Sequence, residues 1–352
     1  MIVKSLGKFA AALILLACAS NMPSHAGSAL DGATIRIIIA HKAGNTTDTM
    51  ARLFAKTLEK YLPDSSINVQ NLDGNGGSLA MAEIHDAKAS LVTVGFVNSS
   101  VVFSQVTQGD ALPYDIKDFH WIGALASSQR VLVVRKDALD RADPGKSNAA
   151  AKPMVSLAMS ASAQNYIDGL LLNGTTNLRL RMVPGFKTEQ QNAMLLAGDA
   201  DAGIGTYENF REFIEAGDLV PVLKFGTVGY PDALATLPTL EHVALPDAPR
   251  DVIALSTKLS DMGRFVVAAP ATPEAQREAL AKAFDQVVAD PDYLAGLKAA
   301  NFIGTPANAD TVTTFIGGLL GNSKVLGDLK AMIACGQQIS DDSRHSCDSG
   351  SL

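Results

Sequence analysis

Short runs of apolar, β-branched residues alternate with amphipathic stretches over the first hundred residues of the chain. Runs of the strand type occupy residues 34–40, 67–70 and 91–96. Stretches with the apolar spacing of a helix fill the intervals at 47–61 and 78–87. This alternation of strand and helix predicts a mostly parallel α/β sheet with helices on both faces.

A second alternating series lies between residues 131 and 225. Its predicted elements are strands near 155–158, 179–183 and 219–225 and helices near 166–172 and 189–197. Beyond it, a stretch rich in Pro and Gly leads to one more predicted strand at 264–269, and the rest of the chain has the pattern of helices. Two series of this kind indicate an α/β protein with two lobes.

The N-terminus has the parts of a secretory signal peptide, predicted to span residues 1–26. Lys4 and Lys8 precede the apolar run 9–17, and a short polar stretch then ends in small residues up to Ala26. The apolar run is shorter than the roughly 20 residues that cross a bilayer. We therefore expect cleavage after Ala26 and a protein located in the periplasm.

The three cysteines have different expected roles. Cys18 leaves with the signal peptide or, as an alternative that the bulky Leu16 disfavours, becomes the acylated residue of a lipoprotein. Cys335 and Cys347 remain, and an oxidising compartment favours a disulfide between them that fastens the C-terminal tail. A metal site that includes His345 is the other alternative, but it lacks a partner pair at ligand spacing.

Length and charge narrow the class further. About 326 residues remain after the leader, more than one hydrophobic core usually organises. The chain passes between the two series near 124–129 and 253–258, which gives 27–127 with 256–352 as lobe 1 and 128–255 as lobe 2. The formal net charge changes from -7 to -9 on cleavage, because two lysines and no acidic residue leave. Such an acidic surface disfavours nucleic acid as a partner.

The loop at 41–48 joins the first predicted strand to the first helix and has the features of an anion site. Gly44 permits an unusual turn, and Thr46 and Thr47 can cap the helix. Free backbone N–H groups and the partial positive charge of a helix N-terminus can hold an anion without a charged side chain. Ordinary capping by Thr46 or Thr47, with Asp48 in the first turn, is the alternative.

The loop at 71–78 has three glycines before the next helix, so that its backbone can approach a ligand closely. Gly76, Gly77 and Ser78 end this loop. A tight turn is the alternative, and a dinucleotide site is disfavoured because the spacing is not G-x-G-x-x-G. Two helix N-termini at one sheet edge could hold one carboxylate between them.

A succession of short motifs runs through nearly all of the mature chain. They are 35–39 (IRIII), 43–52 (AGNTTDTMAR), 69–78 (VQNLDGNGGS), 112–115 (LPYD), 118–119 (DF), 183–187 (VPGFK), 198–202 (GDADA) and 237–241 (LPTLE). In order and spacing they resemble the Bug family, the substrate-binding components of tripartite tricarboxylate transporters. Departures at His41, Lys42, Asn45 and Gly185 mark the chain as a divergent member.

This resemblance implies a type II periplasmic binding protein fold, in which two lobes joined by a hinge close around a carboxylated ligand. It implies that the two loops bind the proximal carboxylate, partly through water, and that the second lobe selects the distal part of the ligand. The residues carried over as ligand-binding are Gly44, Thr46, Thr47, Asp48, Gly76, Gly77, Ser78, Ser160, Ala161 and Ser162. Lys42 and Lys187 are candidate counter-ions, one from each lobe, and solvated loop lysines are the alternative.

The expected function is capture of a small carboxylate, either a di- or tricarboxylate or an aromatic acid, by a periplasmic monomer that delivers it to membrane transporter subunits. A sensor that presents its closed form to a membrane receptor kinase is an alternative use of the same fold. An exported hydrolase is disfavoured, because neither Gly-x-Ser-x-Gly nor another catalytic constellation is present. We expect no catalytic residue, no metal ligand and no cofactor, and the six histidines show no ligand spacing.

Overall fold

The structure is a computed structural model that describes residues 28–143 and 152–342. The strands in these ranges are β1 Thr34–Ile39, β2 Ser66–Asn71, β3 Val92–Asn98, β4 His120–Ala126, β5 Arg130–Arg135, β6 Met154–Ala158, β7 Leu180–Pro184, β8 Ala202–Thr206, β9 Leu219–Lys224, β10 Arg264–Ala268 and β11 Ala307–Asn308. The helices are α1 Thr46–Tyr61, α2 Ser78–His85, α3 Ser100–Gln108, α4 Gln164–Thr175, α5 Thr188–Ala197, α6 Tyr207–Glu215, α7 Leu240–Val243, α8 Arg250–Asp261, α9 Glu274–Val288, α10 Pro291–Ala299, α11 Ala309–Gly321 and α12 Ser323–Asp342.

The first sheet has six strands in the order β11-β4-β10-β3-β1-β2. β1 lies between β2 and β3 and is parallel to both, as the alternating pattern of the first series predicts. β10 is antiparallel to its neighbours β3 and β4. The sheet is therefore mixed rather than mostly parallel, because β4 and β10 connect to the second sheet instead of continuing the strand–helix alternation.

The second sheet has five strands in the order β7-β6-β8-β5-β9. β6 is parallel to β7 and β8, whereas β5 is antiparallel to β8 and β9. β5 is the strand that arrives from the first sheet, so antiparallel pairing occurs next to the crossings in both sheets. The two sheets confirm the predicted α/β class with two lobes.

The two crossings between the sheets lie side by side. β4 ends in the first sheet and β5 begins in the second, and the segment between them falls within the predicted crossing 124–129. In this segment Ser128 N donates to Ser260 O at 2.8 Å, and Ser128 Oγ donates to the same oxygen at 3.1 Å. Ser260 lies near the end of α8, shortly before the chain enters β10. The predicted second crossing, 253–258, falls inside α8, just before this contact.

The C-terminal helix α12 packs along α4 and β7, in the layer of the second sheet. The two helices approach closely because a glycine stands on each side of the contact. A Cβ atom on Gly174 would lie 2.7 Å from Met332 O, and one on Gly336 would overlap Leu170 O. The predicted domain limits assign 256–352 to lobe 1, and α12 is the part of that range that lies against lobe 2. The domain limits stay a prediction.

An aromatic cluster forms the core between the first sheet and the helices on one of its faces. Phe54 of α1 contacts Phe96 of β3 with ring centroids 5.4 Å apart, and Phe284 and Tyr293 complete the cluster at 5.7 and 6.2 Å from Phe54. Phe54 lies four residues before Leu58, and both are buried on the same face of α1. This packing fixes α1, and with it the loop that precedes it.

Two predictions concern residues outside the described ranges. The signal peptide 1–26, with Cys18, is one of them. Cys335 on α12 is disulfide-bonded, but Cys347 lies outside the described residues, so the pairing of these two cysteines stays a prediction. Among the helices of the described ranges, none is long and apolar enough to cross a membrane.

Candidate functional site

The loop between β1 and α1 is held by Asn45 and Asp48. Asn45 caps α1, since its Oδ1 accepts a hydrogen bond from Asp48 N at 2.8 Å. Asp48 Oδ2 accepts from Gly44 N at 2.8 Å, and Asp48 Oδ1 accepts from Arg52 Nε at 2.9 Å and Asn71 Nδ2 at 2.8 Å. The cap is therefore Asn45 rather than a threonine, and Asp48 uses both oxygens within the protein.

The charge of Asp48 follows from these contacts. Burial alone would raise the pKa of this carboxyl group, but the hydrogen bonds from Arg52, Gly44 and Asn71 outweigh burial and hold the pKa below its ordinary value. Asp48 is thus an anion at the N-terminus of α1, the position where a negative charge is favoured. Its carboxylate accepts the hydrogen bond from Gly44 N–H, the group that the sequence assigns to a ligand.

The loop between β2 and α2 follows an unusual backbone path. Four consecutive residues from 74 to 77 have positive φ angles, including 47° for Asn75, 63° for Gly76 and 97° for Gly77. Such angles strain residues that carry a Cβ atom, which explains the run of glycines. The path ends in a 3₁₀ turn at Asn75–Gly77, and Ser78 then begins α2.

Gly76 brings this loop against the second lobe. A Cβ atom on Gly76 would lie 2.9 Å from Ser162 O, in the loop between β6 and α4. Ser160 Oγ and Ser162 Oγ lie 3.2 Å apart in that loop, and Ala163 is the N-cap residue of α4. The structure therefore brings together residues of both lobes that the sequence assigns to the ligand site.

Lys42 and Lys187 are both exposed. Lys42 lies in the first loop, and Lys187 precedes α5, where its backbone N donates to Gln190 Oε1 at 2.9 Å. Neither lysine has a buried partner group among the residues that the structure describes, so both the counter-ion hypothesis and the alternative of solvated lysines remain for these two side chains.

A chain of polar contacts connects the ends of β1 and β3 to the glycine loop. Asn98 Nδ2 lies 2.9 Å from His41 Nε2 and donates to it, and Asn98 Oδ1 accepts from Ser100 N at 3.0 Å. Ser100 Oγ is in hydrogen-bond contact with Gly76 O. Burial and, secondarily, the charge of Arg264 lower the pKa of His41 from 6.5 to about 4, so its imidazole is neutral at neutral pH.

Two buried arginines lie at the crossings, and sequence reasoning missed both. Arg130 begins β5, and its Nε donates to Asp168 Oδ2. Arg264 begins β10, its Nη1 donates to Ser127 O, and its Nη2 lies 3.5 Å from Glu208 Oε1. Burial lowers the pKa of Arg264 against the opposing charge of Glu208, and burial raises the pKa of Asp168 despite Arg130. One feature of the sequence could have indicated them: an arginine stands directly before the apolar run that follows each crossing, at 131–134 and at 265–268.

Fold and site together define a two-lobed α/β protein, in which loops and helix N-termini from both lobes meet beside the crossings. No family model matches the chain. A curated relative is 23% identical over 269 residues, which is 71% of this chain and 76% of the relative. It is described as the UPF0065 protein in the TAR-I ttuE-ttuC' intergenic region of Agrobacterium vitis.

Solved structures of other proteins share the fold, among them the following two. The periplasmic binding protein BugD has a TM-score of 0.59 at 15% identity, with 89% of this chain and 98% of that protein covered. MatC from Rhodopseudomonas palustris with bound malate has a TM-score of 0.59 at 18% identity, with 85% and 98% covered. At these identities the likeness shows the fold alone. With the curated relative, these findings confirm the predicted resemblance to the Bug family and the predicted fold of a periplasmic binding protein.

Proposed function

We propose that this protein is an extracytoplasmic solute-binding protein that captures a small carboxylate in the periplasm and catalyses no reaction. The contact between Gly76 and Ser162 carries the proposal, because it joins the glycine loop of the first lobe to the loop that opens α4 in the second. A ligand bound beside this contact bridges the lobes and favours the closed form by its extra contacts there.

The helix N-termini at this contact favour an anionic ligand. α2 begins at Ser78 and α4 at Gln164, and neither helix has an acidic residue in its first turn. Their N-terminal partial charges are thus available, whereas Asp48 already neutralises that of α1. The malate bound to MatC, a protein of the same fold, agrees with a carboxylate as the ligand class.

The partner we propose is the membrane part of a tripartite tricarboxylate-type transporter. The resemblance to the Bug family supports this partner, and closure offers membrane subunits a surface that reports occupancy. The protein acts as a monomer in this proposal, and it releases the ligand when the transporter stabilises the open form.

A thermal-shift screen tests the proposed ligand class. Residues 27–352 are screened against mono-, di- and tricarboxylates, aromatic acids, amino acids and neutral sugars. A ligand at 100 times its Kd adds about 2.7 kcal/mol to the free energy of unfolding, which raises the midpoint measurably. We expect carboxylates to raise it and neutral sugars to leave it unchanged.

A pair of glycine variants links the shift to the lobe contact. Gly76→Ala adds a methyl group 2.9 Å from Ser162 O, and we expect it to weaken binding by at least about tenfold. Gly109→Ala is the control, because Gly109 also has a positive φ, 48°, but a Cβ atom added there would have no other atom within 4 Å. Equal binding by the two variants, or a shift caused by sugars, would contradict the proposal.

A further inference from the structure

Six polar residues meet where the second lobe faces the crossings, and we call them the junction cluster. Its members are Arg130, Gln164, Asp168, Thr206, Glu208 and Arg264, which are linked by hydrogen bonds, by strand pairing and by the interaction of the two arginine charges. Arg130 begins β5 and Thr206 ends β8, and the two residues are paired across the sheet. Gln164 begins α4 two residues after Ser162, so the junction cluster adjoins the contact between the lobes.

Part of the junction cluster is satisfied internally. Asp168 accepts hydrogen bonds from Arg130 Nε and, at 3.0 Å, from Gln164 Nε2. Arg264 donates to Ser127 O, and its second contact, to Glu208 Oε1, lies at the 3.5 Å limit of a hydrogen bond. The side chains of Arg130 and Asp168 are 8% and 2% exposed, so this ion pair is shielded from solvent.

Four buried polar atoms of the junction cluster have no hydrogen-bond partner among the described residues. They are Arg130 Nη2, Gln164 Oε1, Thr206 Oγ1 and Glu208 Oε2. A buried polar atom without a partner destabilises the fold, and a charged one does so more strongly. Native proteins rarely concentrate such atoms at one place, so a cluster of four indicates a site that receives a polar group.

The charges of these atoms indicate what kind of group fits. Arg130 Nη2 is a cationic donor, and Glu208 Oε2 is an anionic acceptor. A simple carboxylate satisfies Arg130 but lies near a second anion, which raises its free energy. A carboxylate with a hydroxyl or ammonium group on the adjacent carbon satisfies both residues, because the neighbouring group donates to Glu208.

We propose that the junction cluster is the polar end of the ligand site and selects 2-hydroxy or 2-amino carboxylates. Arg130 binds the carboxylate, and Glu208 accepts a hydrogen bond from the 2-substituent. The inference rests on the proposed function, since it assigns the substrate class and the selecting residues of the same interlobe site. Glu208 determines specificity, whereas Arg130 contributes affinity for any carboxylate.

Calorimetric titration with malate, aspartate and succinate tests this selection, because the three share one carbon skeleton and differ only at the 2-position. We expect wild type to bind malate or aspartate at least about tenfold more tightly than succinate, as a charge-assisted hydrogen bond provides. Glu208→Gln removes the charge at constant shape, and the preference should fall to within a few-fold. Arg130→Lys should weaken all three ligands and keep the preference.

The thermal midpoint of each variant without ligand shows whether it folds as wild type does. If Arg130→Lys does not fold, the ligand preference of Glu208→Gln alone tests the inference. Succinate bound as tightly as the other two, or a preference that survives in Glu208→Gln, overturns the inference and leaves the proposed function intact. Failure of every carboxylate in the thermal screen overturns the proposed function and the inference with it.

Discussion

His41 is a residue whose surroundings make stability depend on pH. In the folded protein its pKa is lowered from 6.5 to about 4. Between these values the unfolded chain binds a proton that the folded chain does not, so protons favour unfolding. The stability that neutral His41 contributes is fully present above pH 6.5 and is lost as the pH falls through 4, up to about 3 kcal/mol.

Denaturant unfolding at several pH values measures this contribution. In His41→Gln the side chain can still accept a hydrogen bond from Asn98 Nδ2 but does not titrate. We therefore expect wild type to lose more stability than His41→Gln between about pH 7 and about pH 4.5. Parallel loss in the two proteins would show that the pKa of His41 is the same in the folded and the unfolded chain and would remove the pKa argument.

At the residue scale the sequence could predict positions but not partners. Glycines at 76 and 77 were predicted as points of close approach, and their positive φ angles and the Ser162 contact explain why they are needed there. The burial of Arg130 and Arg264 could not be predicted, because an arginine at a strand end is ordinarily exposed. Their burial depends on Asp168 and Glu208, which lie on other elements.

The contact between α4 and α12 permits a test at the scale of elements. Gly336 lies on α12 where a Cβ would overlap the Leu170 carbonyl of α4, and we expect Gly336→Ala to cost about 1 to 3 kcal/mol of unfolding free energy. Gly327→Ala is the matched control on the same helix, since a Cβ atom added at Gly327 would have no other atom within 4 Å. It should gain up to about 1 kcal/mol from helix propensity.

Urea unfolding of wild type and both variants measures these free energies. Equal effects of the two substitutions would mean that α12 does not pack on α4 through Gly336. Loss of stability in Gly327→Ala alone would place the contact on the opposite face of α12.

Elements with a strong periodic pattern were predicted and others were missed. β1 is a run of isoleucines and α1 has a wide apolar face, so tertiary packing and local preference agree there. α3, with the sequence SVVFSQVTQ, was missed because its valines are typical of a strand. In the structure most of its residues are buried, and this packing stabilises the helix. α8 follows a stretch rich in Pro and Gly, so the pattern did not predict where this helix begins.

At the scale of the whole molecule, two alternating series predict two lobes because each sheet needs its own layer of helices. The position of α12 on the second lobe does not follow from any pattern within α12. It depends on a glycine in α4 matching a glycine in α12, and complementarity between distant segments is not visible along the chain. The meeting of Gly76 with Ser162 is unpredictable from spacing for the same reason.

Closure itself can be measured on the whole molecule. A compact chain of about 326 residues has a radius of gyration of about 20 Å, and an open two-lobed form exceeds it. The crossings are joined by the hydrogen bonds between Ser128 and Ser260, so the closure that we propose is a rotation of the lobes about a short segment and not a separation. We therefore expect small-angle scattering to show a smaller radius when saturating carboxylate is added.

The variants Gly76→Ala and Gly109→Ala distinguish ligand binding with closure of the lobes from ligand binding without closure. The Cβ atom that Gly76→Ala adds would lie 2.9 Å from Ser162 O, so the substitution disfavours the contact between the lobes. The strain of a side chain at the positive φ of 63° acts in the open and the closed form alike. That variant should retain the larger radius at ligand concentrations that compact both wild type and Gly109→Ala. Compaction of all three proteins to the same radius would show that the lobes close without the Gly76 contact, and the ligand would then have to bridge them through the junction cluster alone.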